Sequence, residues 1–296
     1  MQFIEDHERS PRRWYGGAIG VAGFDGNLNT GLTLRTVRIK DGVAEVRVGA
    51  TLLYDSDPDA EEAETRLKAA ALLDAIRRPE TAAATPTQAA PIGTGRRVLM
   101  IDHRDSFVHT LAGYLRETGA EVATLRAGFD AGRIDAFAPD LIVLSPGPGR
   151  PSDFGLSRTI GLAQERRIPI FGVCLGLQGI CEHFGGRLGT LTVPMHGKPS
   201  MILISDSPLF AGLPPRFVAG RYHSLYAERD SLPAVLRVTA EAVDGIIMAI
   251  EHRDLPIAAV QFHPESIMTL DGDIGRTLIR NVVATLATAQ RTSGSR

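Results

Sequence analysis

Cys174 stands between two glycines in Gly172-Val-Cys-Leu-Gly176, after the apolar run Ile168-Pro-Ile-Phe171 and before residues that read as a helix. A nucleophile between glycines on a sharp strand-to-helix turn is the elbow arrangement, here with a thiol in place of a hydroxyl. So tight a turn leaves no room for Cβ atoms beside the nucleophile. The elbow sets the sulfur at the carboxyl end of a strand, where open α/β sheets bind ligands. A helix N-terminus there favours thiolate over thiol. The competing reading of Cys174 is a buried structural cysteine. A thiolate nucleophile wants a base and a group to orient it. Among the 8 histidines, His263 lies in Gln261-Phe-His-Pro-Glu-Ser266, after the apolar run Ile257-Ala-Ala-Val260. Residues two apart in an extended segment point to one side, so His263 and Glu265 share a face, with Pro264 stiffening the backbone between them. Taken alone this is a surface His and Glu near a strand end; beside the elbow it is a base with its carboxylate. The third piece is Ser145-Pro-Gly-Pro-Gly149, after Asp140-Leu-Ile-Val-Leu144. Its glycines let the backbone approach a ligand, and exposed N–H groups can hold an oxyanion. Pro148 has none to give, so a glycine must donate; the alternative is a plain turn.

These pieces need a frame. Strands are expected at RRVLMID (96–102), EVATLR (121–126), DLIVLS (140–145) and IPIFGV (168–173). Helices are expected at 105–119, at Gly155–Arg166, after Cys174, and at Ile274–Leu286. Near-continuous apolar strands alternating with helices predict an α/β fold, a mainly parallel sheet with helices on both faces. MILI (201–204), RVTAEA (237–242), GIIMAIEH (245–252) and IAAVQFH (257–263) read as further strands, some antiparallel. Cys181 lies seven residues after Cys174, about 10 Å along a helix. That is beyond disulfide reach, so Cys181 reads as core.

The chain has 296 residues, 44% hydrophobic and 22% charged, with a formal net charge of −2. That composition is globular, and its charge balance argues against a nucleic-acid partner. No apolar run is long enough to span a bilayer, and no secretory leader is visible. Two cysteines exclude a disulfide framework, which points to a reducing cytoplasm. Residues 79–95, PETAAATPTQAAPIGTG, read as a flexible linker, and 289–296 as a polar tail. The expected organisation is therefore a small α+β fragment at 1–78, the linker at 79–95, the main domain at 96–288 and the tail. In the first part, Gly31–Tyr54 reads as one β-hairpin turning at Lys40-Asp-Gly42. A helix then begins at Pro58, capped by Ser56 or Asp57, and runs to Arg77 and Arg78. Its apolar side would hold Leu67, Ala70, Ala71, Leu72 and Leu73. Met1 falls within a further helix-like run, so the sequence reads as starting inside a larger fold. One hairpin and one or two helices cannot bury their own apolar face, represented by Leu34, Val46 and Leu53.

SPGPG, GVCLGLQ and QFHPES, in that order, resemble the class I (triad) glutamine amidotransferases across about Arg96 to Leu286. The resemblance implies Cys174 as nucleophile, His263 as base and Glu265 as its partner. It implies oxyanion N–H groups at Gly147 and Leu175, with Pro148 and Gly149 in the same loop. Gln178, Ser224 and Leu225 would hold glutamine, the last two within Tyr222-His-Ser-Leu225. The implied chemistry is attack on the side-chain amide, release of ammonia, and hydrolysis of a γ-glutamyl thioester, with no cofactor. Met195-His-Gly-Lys198 is similar to the anthranilate and aminodeoxychorismate synthase branch.

The upstream part resembles the C-terminal end of a chorismate-utilising synthase domain. The residues that carry this are Trp14-Tyr-Gly-Gly-Ala-Ile-Gly20, Leu34-Arg-Thr36, Val48-Gly-Ala50, Asp55-Ser-Asp-Pro58 and Glu64-Thr-Arg-Leu-Lys68. Fused anthranilate synthases place that end before a linker and an amidotransferase. The comparison implies chorismate contacts at Tyr15, Arg35 and Gly49, and at Glu64 a ligand for the Mg2+ of a complete synthase. It departs from the family at Thr51, where a glycine is expected. The implied partners are glutamine and a chorismate-utilising synthase domain or subunit. Two other products of the same framework are the aminodeoxychorismate of folate synthesis and those of a cysteine hydrolase.

Overall fold

The computed structural model describes residues 2–22, 28–50, 54, 56–77 and 91–288. Expectations at Thr51, Leu53, Asp55, Arg78, most of the linker and the tail 289–296 lie outside these residues. The chain divides into two compact units, Met1–Thr87 and Gln88–Arg296.

In the first unit, α1 (Gln2–His7) precedes the antiparallel pair β1 (Ala18–Ala22) and β2 (Leu28–Leu32). A second hairpin follows, β3 (Val37–Lys40) with β4 (Val43–Val46). Its two-residue turn holds Asp41 at φ 51° and Gly42 at φ 76°, the left-handed pair that a tight hairpin of the strands' own twist requires. Helix α2 (Pro58–Arg77) is capped by Asp57, whose carboxylate accepts from the Ala60 N–H at 2.8 Å. The single hairpin expected over Gly31–Tyr54 is thus corrected to two: Gly31 belongs to β2, and the later hairpin is confined to 37–46. None of the described residues of this unit is buried. Apolar side chains that would line a core are open, Ile19 at 68%, Leu32 at 64% and Leu67 at 75% exposure.

The second unit carries β5 (Arg97–Asp102), α3 (Val108–Glu117), β6 (Glu121–Arg126), α4 (Gly132–Phe137), β7 (Leu141–Leu144), α5 (Leu156–Glu165), β8 (Ile170–Val173) and α6 (Leu175–His183). The long β9 (Leu188–Ile204), β10 (Arg216–Ala227), β11 (Leu236–Ala242), β12 (Ile247–His252), β13 (Ile257–Val260) and α7 (Ile274–Thr285) follow. All nine strands form one sheet in the order β10-β9-β11-β12-β13-β8-β7-β5-β6. From β13 to β6 the neighbours run parallel; from β13 to β10 they run antiparallel. The α/β class holds, with a parallel half that positions the chemistry and an antiparallel extension.

Strand periodicity splits the core in two. Val98 and Met100 of β5 pack with Leu111 and Leu115 of α3 and Leu278 and Ile279 of α7. Leu99 and Ile101, one residue out of phase, pack with Ile134 of α4, Ile160 of α5 and Ile180 of α6. Both faces of the sheet are covered, as apolar parallel strands demand. The linker expected over 79–95 needs correction at its end. Pro91–Gly95 form a turn on the second unit, with the Gly93 N–H donating to the Thr118 carbonyl at 2.8 Å. Small residues permit that backbone-to-backbone approach as readily as they permit freedom.

Candidate active site

The three sequence motifs follow three adjacent parallel strands. Ser145 follows β7, Cys174 follows β8 and His263 lies just beyond β13, and β8 pairs with both of the others. Parallel pairing brings their carboxyl ends to one edge, so residues almost ninety positions apart in sequence meet there.

Cys174 is 4% exposed and occupies a left-handed, strained backbone conformation, φ 54° and ψ −97°, immediately before α6. Its N–H donates to the Val260 carbonyl at 2.8 Å, tying the elbow to β13. A Cβ on Gly172 would lie 2.6 Å from the Gly176 carbonyl carbon, and one on Gly176 would lie 2.7 Å from the Leu144 carbonyl oxygen. The flanking glycines are therefore set by backbone contact on both sides of the nucleophile.

His263 is 1% exposed. Its Nδ1–H donates to Glu265 Oε1 at 2.7 Å, and the Glu265 side chain is itself fully buried. Phe107 and Tyr222 meet the imidazole edge-on, with ring centroids 5.2 Å and 4.9 Å away. Its backbone N–H donates to the Gly220 carbonyl of β10 at 3.0 Å. Burial works against the imidazolium, but the Glu265 carboxylate and the nearby Cys174 sulfur outweigh it and hold the His263 pKa well above the ordinary 6.5. The Nε2 atom is buried and meets no hydrogen-bond geometry with the sulfur. Cys174 still raises the His263 pKa, so the two side chains are neighbours that interact. An imidazolium beside a thiolate is the resting pair that Cys–His chemistry uses.

Gly147 packs against the elbow: a Cβ there would lie 2.6 Å from Leu175 Cδ2 and 2.9 Å from the His103 carbonyl oxygen. That contact sets Gly147 against the Leu175 side chain, while Pro148 and Gly149 are exposed at the loop tip. The buried His103 holds the loop's base. Its backbone N–H donates to Ser145 Oγ at 3.0 Å and its Nδ1–H to the Ser145 carbonyl at 3.1 Å. Burial lowers the His103 pKa to about 4, so it is neutral at ordinary pH.

Gln178, on α6, donates from Nε2 to the Leu225 carbonyl at 3.1 Å and to Gln261 Oε1 at 3.3 Å. Gln261 in turn donates to Cys174 Sγ at 3.4 Å. Ser224 is exposed and drops out of the β9–β10 ladder at a register shift between His223 and Leu225. Gln261 was not among the expected site residues. The signal for it was the same alternation that pairs His263 with Glu265, carried two residues back. Phe107 and the Tyr222 ring had no comparable signal, because they reach His263 from other elements.

In the first unit, Tyr15, Arg35 and Gly49 line one cavity of about 150 Å³, together with Leu34, Val48 and Lys68. Glu64 is ion-paired with Lys68 at 3.0 Å. Among the described residues no three His, Cys, Asp or Glu side chains come together to hold a metal ion. Glu64 with its lysine partner does not by itself make a magnesium site.

Residues 99–283, well over half of the chain, match the family described as glutamine amidotransferase class-I. The chain belongs to the class-I glutamine amidotransferases. In this amidotransferase, residues 1–74 match a second family, described as chorismate binding enzyme. The whole chain is 60% identical over 296 residues to a protein named anthranilate synthase from Azospirillum brasilense, of whose length it spans 40%. Over 189 residues, 64% of this chain and 96% of the relative, it is 44% identical to the aminodeoxychorismate/anthranilate synthase component 2 of Bacillus subtilis (strain 168). A solved glutamine amidotransferase from Thermotoga maritima shares the fold, with a TM-score of 0.53 at 14% identity over 66% of this chain and 99% of that one. No helix among the described residues is long and apolar enough to cross a membrane.

Proposed function

We propose that this amidotransferase supplies ammonia from glutamine to a chorismate-utilising synthase that makes anthranilate, the step that feeds tryptophan synthesis. The observation that carries the reading is the 60% identity along the entire chain, both units in the same order, to a protein named anthranilate synthase. Cys174 Sγ attacks the side-chain amide carbon of glutamine, and the oxyanion that forms is held by the N–H groups of Gly147 and Leu175. The His263 imidazolium gives its proton to the departing nitrogen, which leaves as ammonia. Water then attacks the γ-glutamyl thioester, His263 takes its proton, and glutamate leaves with the thiolate restored. Glu265 keeps the imidazole oriented throughout. Gln178, Ser224 and Leu225 hold the glutamine, and the loop around Pro148 and Gly149 borders it.

Tyr15, Arg35 and Gly49 belong to the chorismate pocket of the complete synthase. Glu64 would contribute one ligand to its magnesium once other carboxylates of that domain are present. The reading implies a reducing compartment such as the cytoplasm, which suits a reactive thiol. A second product, aminodeoxychorismate, has its own support in the Bacillus relative, whose name carries both.

The deciding experiment joins this chain to the remainder of a chorismate-utilising synthase and follows the product from chorismate with glutamine as the nitrogen source. Anthranilate, dependent on Cys174 with glutamine but not with ammonium, is the expected result. Aminodeoxychorismate would select the second product. Hydrolysis of peptides or polyglutamates, with no glutamine-dependent amination, would replace the reading by a cysteine hydrolase.

A further inference from the structure

Beside Ser224 and Leu225 on β10, Arg221 and His223 are both buried and take no part in the proposed chemistry. Arg221 is 1% exposed, and its Nη1 donates to the Asp244 carboxylate at 2.7 Å. Its Nε donates to His223 Nε2 at 3.0 Å. A guanidinium has donors only. His223 Nε2 must therefore be the bare nitrogen, and the ring proton sits on Nδ1. From there it donates to the Leu225 carbonyl at 2.8 Å. That same carbonyl accepts from Gln178, whose nitrogen is thereby turned toward it. Gln178 next meets the oxygen of the Gln261 amide, which leaves the Gln261 nitrogen facing Cys174 Sγ. Each bond from Asp244 to the sulfur has one permitted direction. The other His223 tautomer would set a lone pair against the oxygen of Leu225.

Burying a guanidinium is costly and rarely improves stability over apolar packing. The recurrent gain is in fixing one arrangement among several. His223 itself is held neutral, its pKa lowered to about 4 by burial and by the neighbouring Arg221.

We infer that Arg221 and His223 are positioning residues for glutamine: by enforcing the Nδ1–H tautomer they fix the Leu225 carbonyl, the break at Ser224 and the Gln178 amide in the arrangement that receives the substrate. The inference rests on the reading of Ser224, Leu225 and Gln178 as the glutamine-binding groups. Both residues act through Leu225 and neither enters the chemistry, so their contribution falls on substrate affinity and not on turnover.

The test uses the full chain and two substitutions. In His223→Asn the amide nitrogen lies near the former Nδ1 and keeps a donor for Leu225. In His223→Gln the amide reaches the former Nε2 position and leaves Leu225 without that donor. The probe is the diazoketone analogue of glutamine, diazo-oxo-norleucine, followed by mass spectrometry at Cys174, with iodoacetamide as a thiol reagent that needs no glutamine pocket. His223→Gln is expected to raise the half-saturating analogue concentration about tenfold, the size of one lost hydrogen bond. Its maximal labelling rate and its iodoacetamide rate should stay within about threefold, and His223→Asn should remain near wild type in all three. Equal half-saturation in the two variants, or a lowered maximal rate at unchanged half-saturation, overturns the inference. A proton–nitrogen NMR correlation on the unsubstituted chain needs no variant to fold. It should show His223 neutral and protonated at Nδ1 near pH 7, and the Nε2–H tautomer or an imidazolium would overturn the inference alone. If wild-type Cys174 reacts with iodoacetamide but not with the analogue, the glutamine reading itself falls, and that outcome is separable from the other two.

Discussion

Gly172 and Gly176 face each other across Cys174 so closely that a methyl group on the first would sit 2.6 Å from the backbone carbon of the second. The nucleophile's unusual backbone angles persist because strand and helix close on it from both sides. Gly172→Ala is expected to lower stability by about 1–3 kcal/mol through overpacking and to displace the sulfur, with a matching loss of glutaminase activity. Gly161, in α5, has open space around its Cβ position. Gly161→Ala should stabilise by roughly 0.5–1 kcal/mol. Urea midpoints for the two variants check the contrast, and similar effects from both would mean the elbow is looser than its geometry.

Cys174→Ala should abolish glutamine hydrolysis while ammonia-dependent synthesis survives in the reconstituted enzyme. His263→Asn should reduce turnover by about a thousandfold. Glu265→Gln should cost less, since it removes orientation and charge but leaves the base. A thiol-directed glutamine analogue should mark Cys174 and spare Cys181, whose thiol burial pushes up to about 11. Peptide mapping that finds the label on Cys181 would put the wrong sulfur in the mechanism.

Glu265 also makes His263 a source of stability with a definite pH dependence. Because the folded pKa is raised, the contribution is complete below the ordinary 6.5 and is lost as pH rises through the folded value. The stability gap between wild type and Glu265→Gln should accordingly be widest near pH 6 and narrow toward alkaline pH. Chemical denaturation across that range reads it directly; a gap that widened with pH would reverse the assignment of charge.

His103 and His223 act in the opposite sense. Both are held neutral down to about 4 by burial. Between 6.5 and that value the unfolded chain takes up protons that the folded chain refuses, so stability falls as pH falls. At about 1.4 kcal/mol per pKa unit, each of the two would cost up to about 3 kcal/mol by pH 4. Urea midpoints at pH 7 and pH 5 should differ in that direction, and His103→Asn should lessen the slope. A flat profile would mean that these rings protonate in place.

Much of this site was legible because its parts are local. The elbow, the His-Pro-Glu turn and the Ser-Pro-Gly-Pro-Gly loop are each written within seven residues, and β7, β8 and β13 are apolar enough to announce parallel burial. What was not legible crosses elements. Phe107 comes from the turn before α3 and Tyr222 from β10 to enclose His263, and no spacing rule links them. Strand β10 itself was missed because its polar residues and two register shifts break the alternation by which strands are read.

The first unit carries a further expectation. With no described residue buried and Ile19, Val21, Leu28, Leu32, Ile39 and Val43 all more than 60% exposed, it lacks the interior that would hold it against solvent. Amide exchange in residues 2–77 should be fast next to β5, β7 and β8, and light scattering should show association through this surface. The chain alone should also make no anthranilate from chorismate with ammonium and magnesium. Core-like protection there in a proven monomer, or measurable product, would show that the unit is more complete than its burial indicates.

The hydrogen bond from the His263 N–H to Gly220 joins the last strand of the antiparallel extension back to the end of β13. Strands β13, β12, β11, β9 and β10 thereby form a circuit closed by this single bridge, although β10 is the edge of the hydrogen-bonded sheet. An edge strand held by one ladder can peel away alone, but β10 leaves only by giving up both its ladder with β9 and the bridge at Gly220. The proposed base and the proposed glutamine-holding strand are fastened at that bridge. Heating should therefore silence catalysis in the same step that opens the circuit, without an earlier stage in which β10 peels away and His263 stays in place.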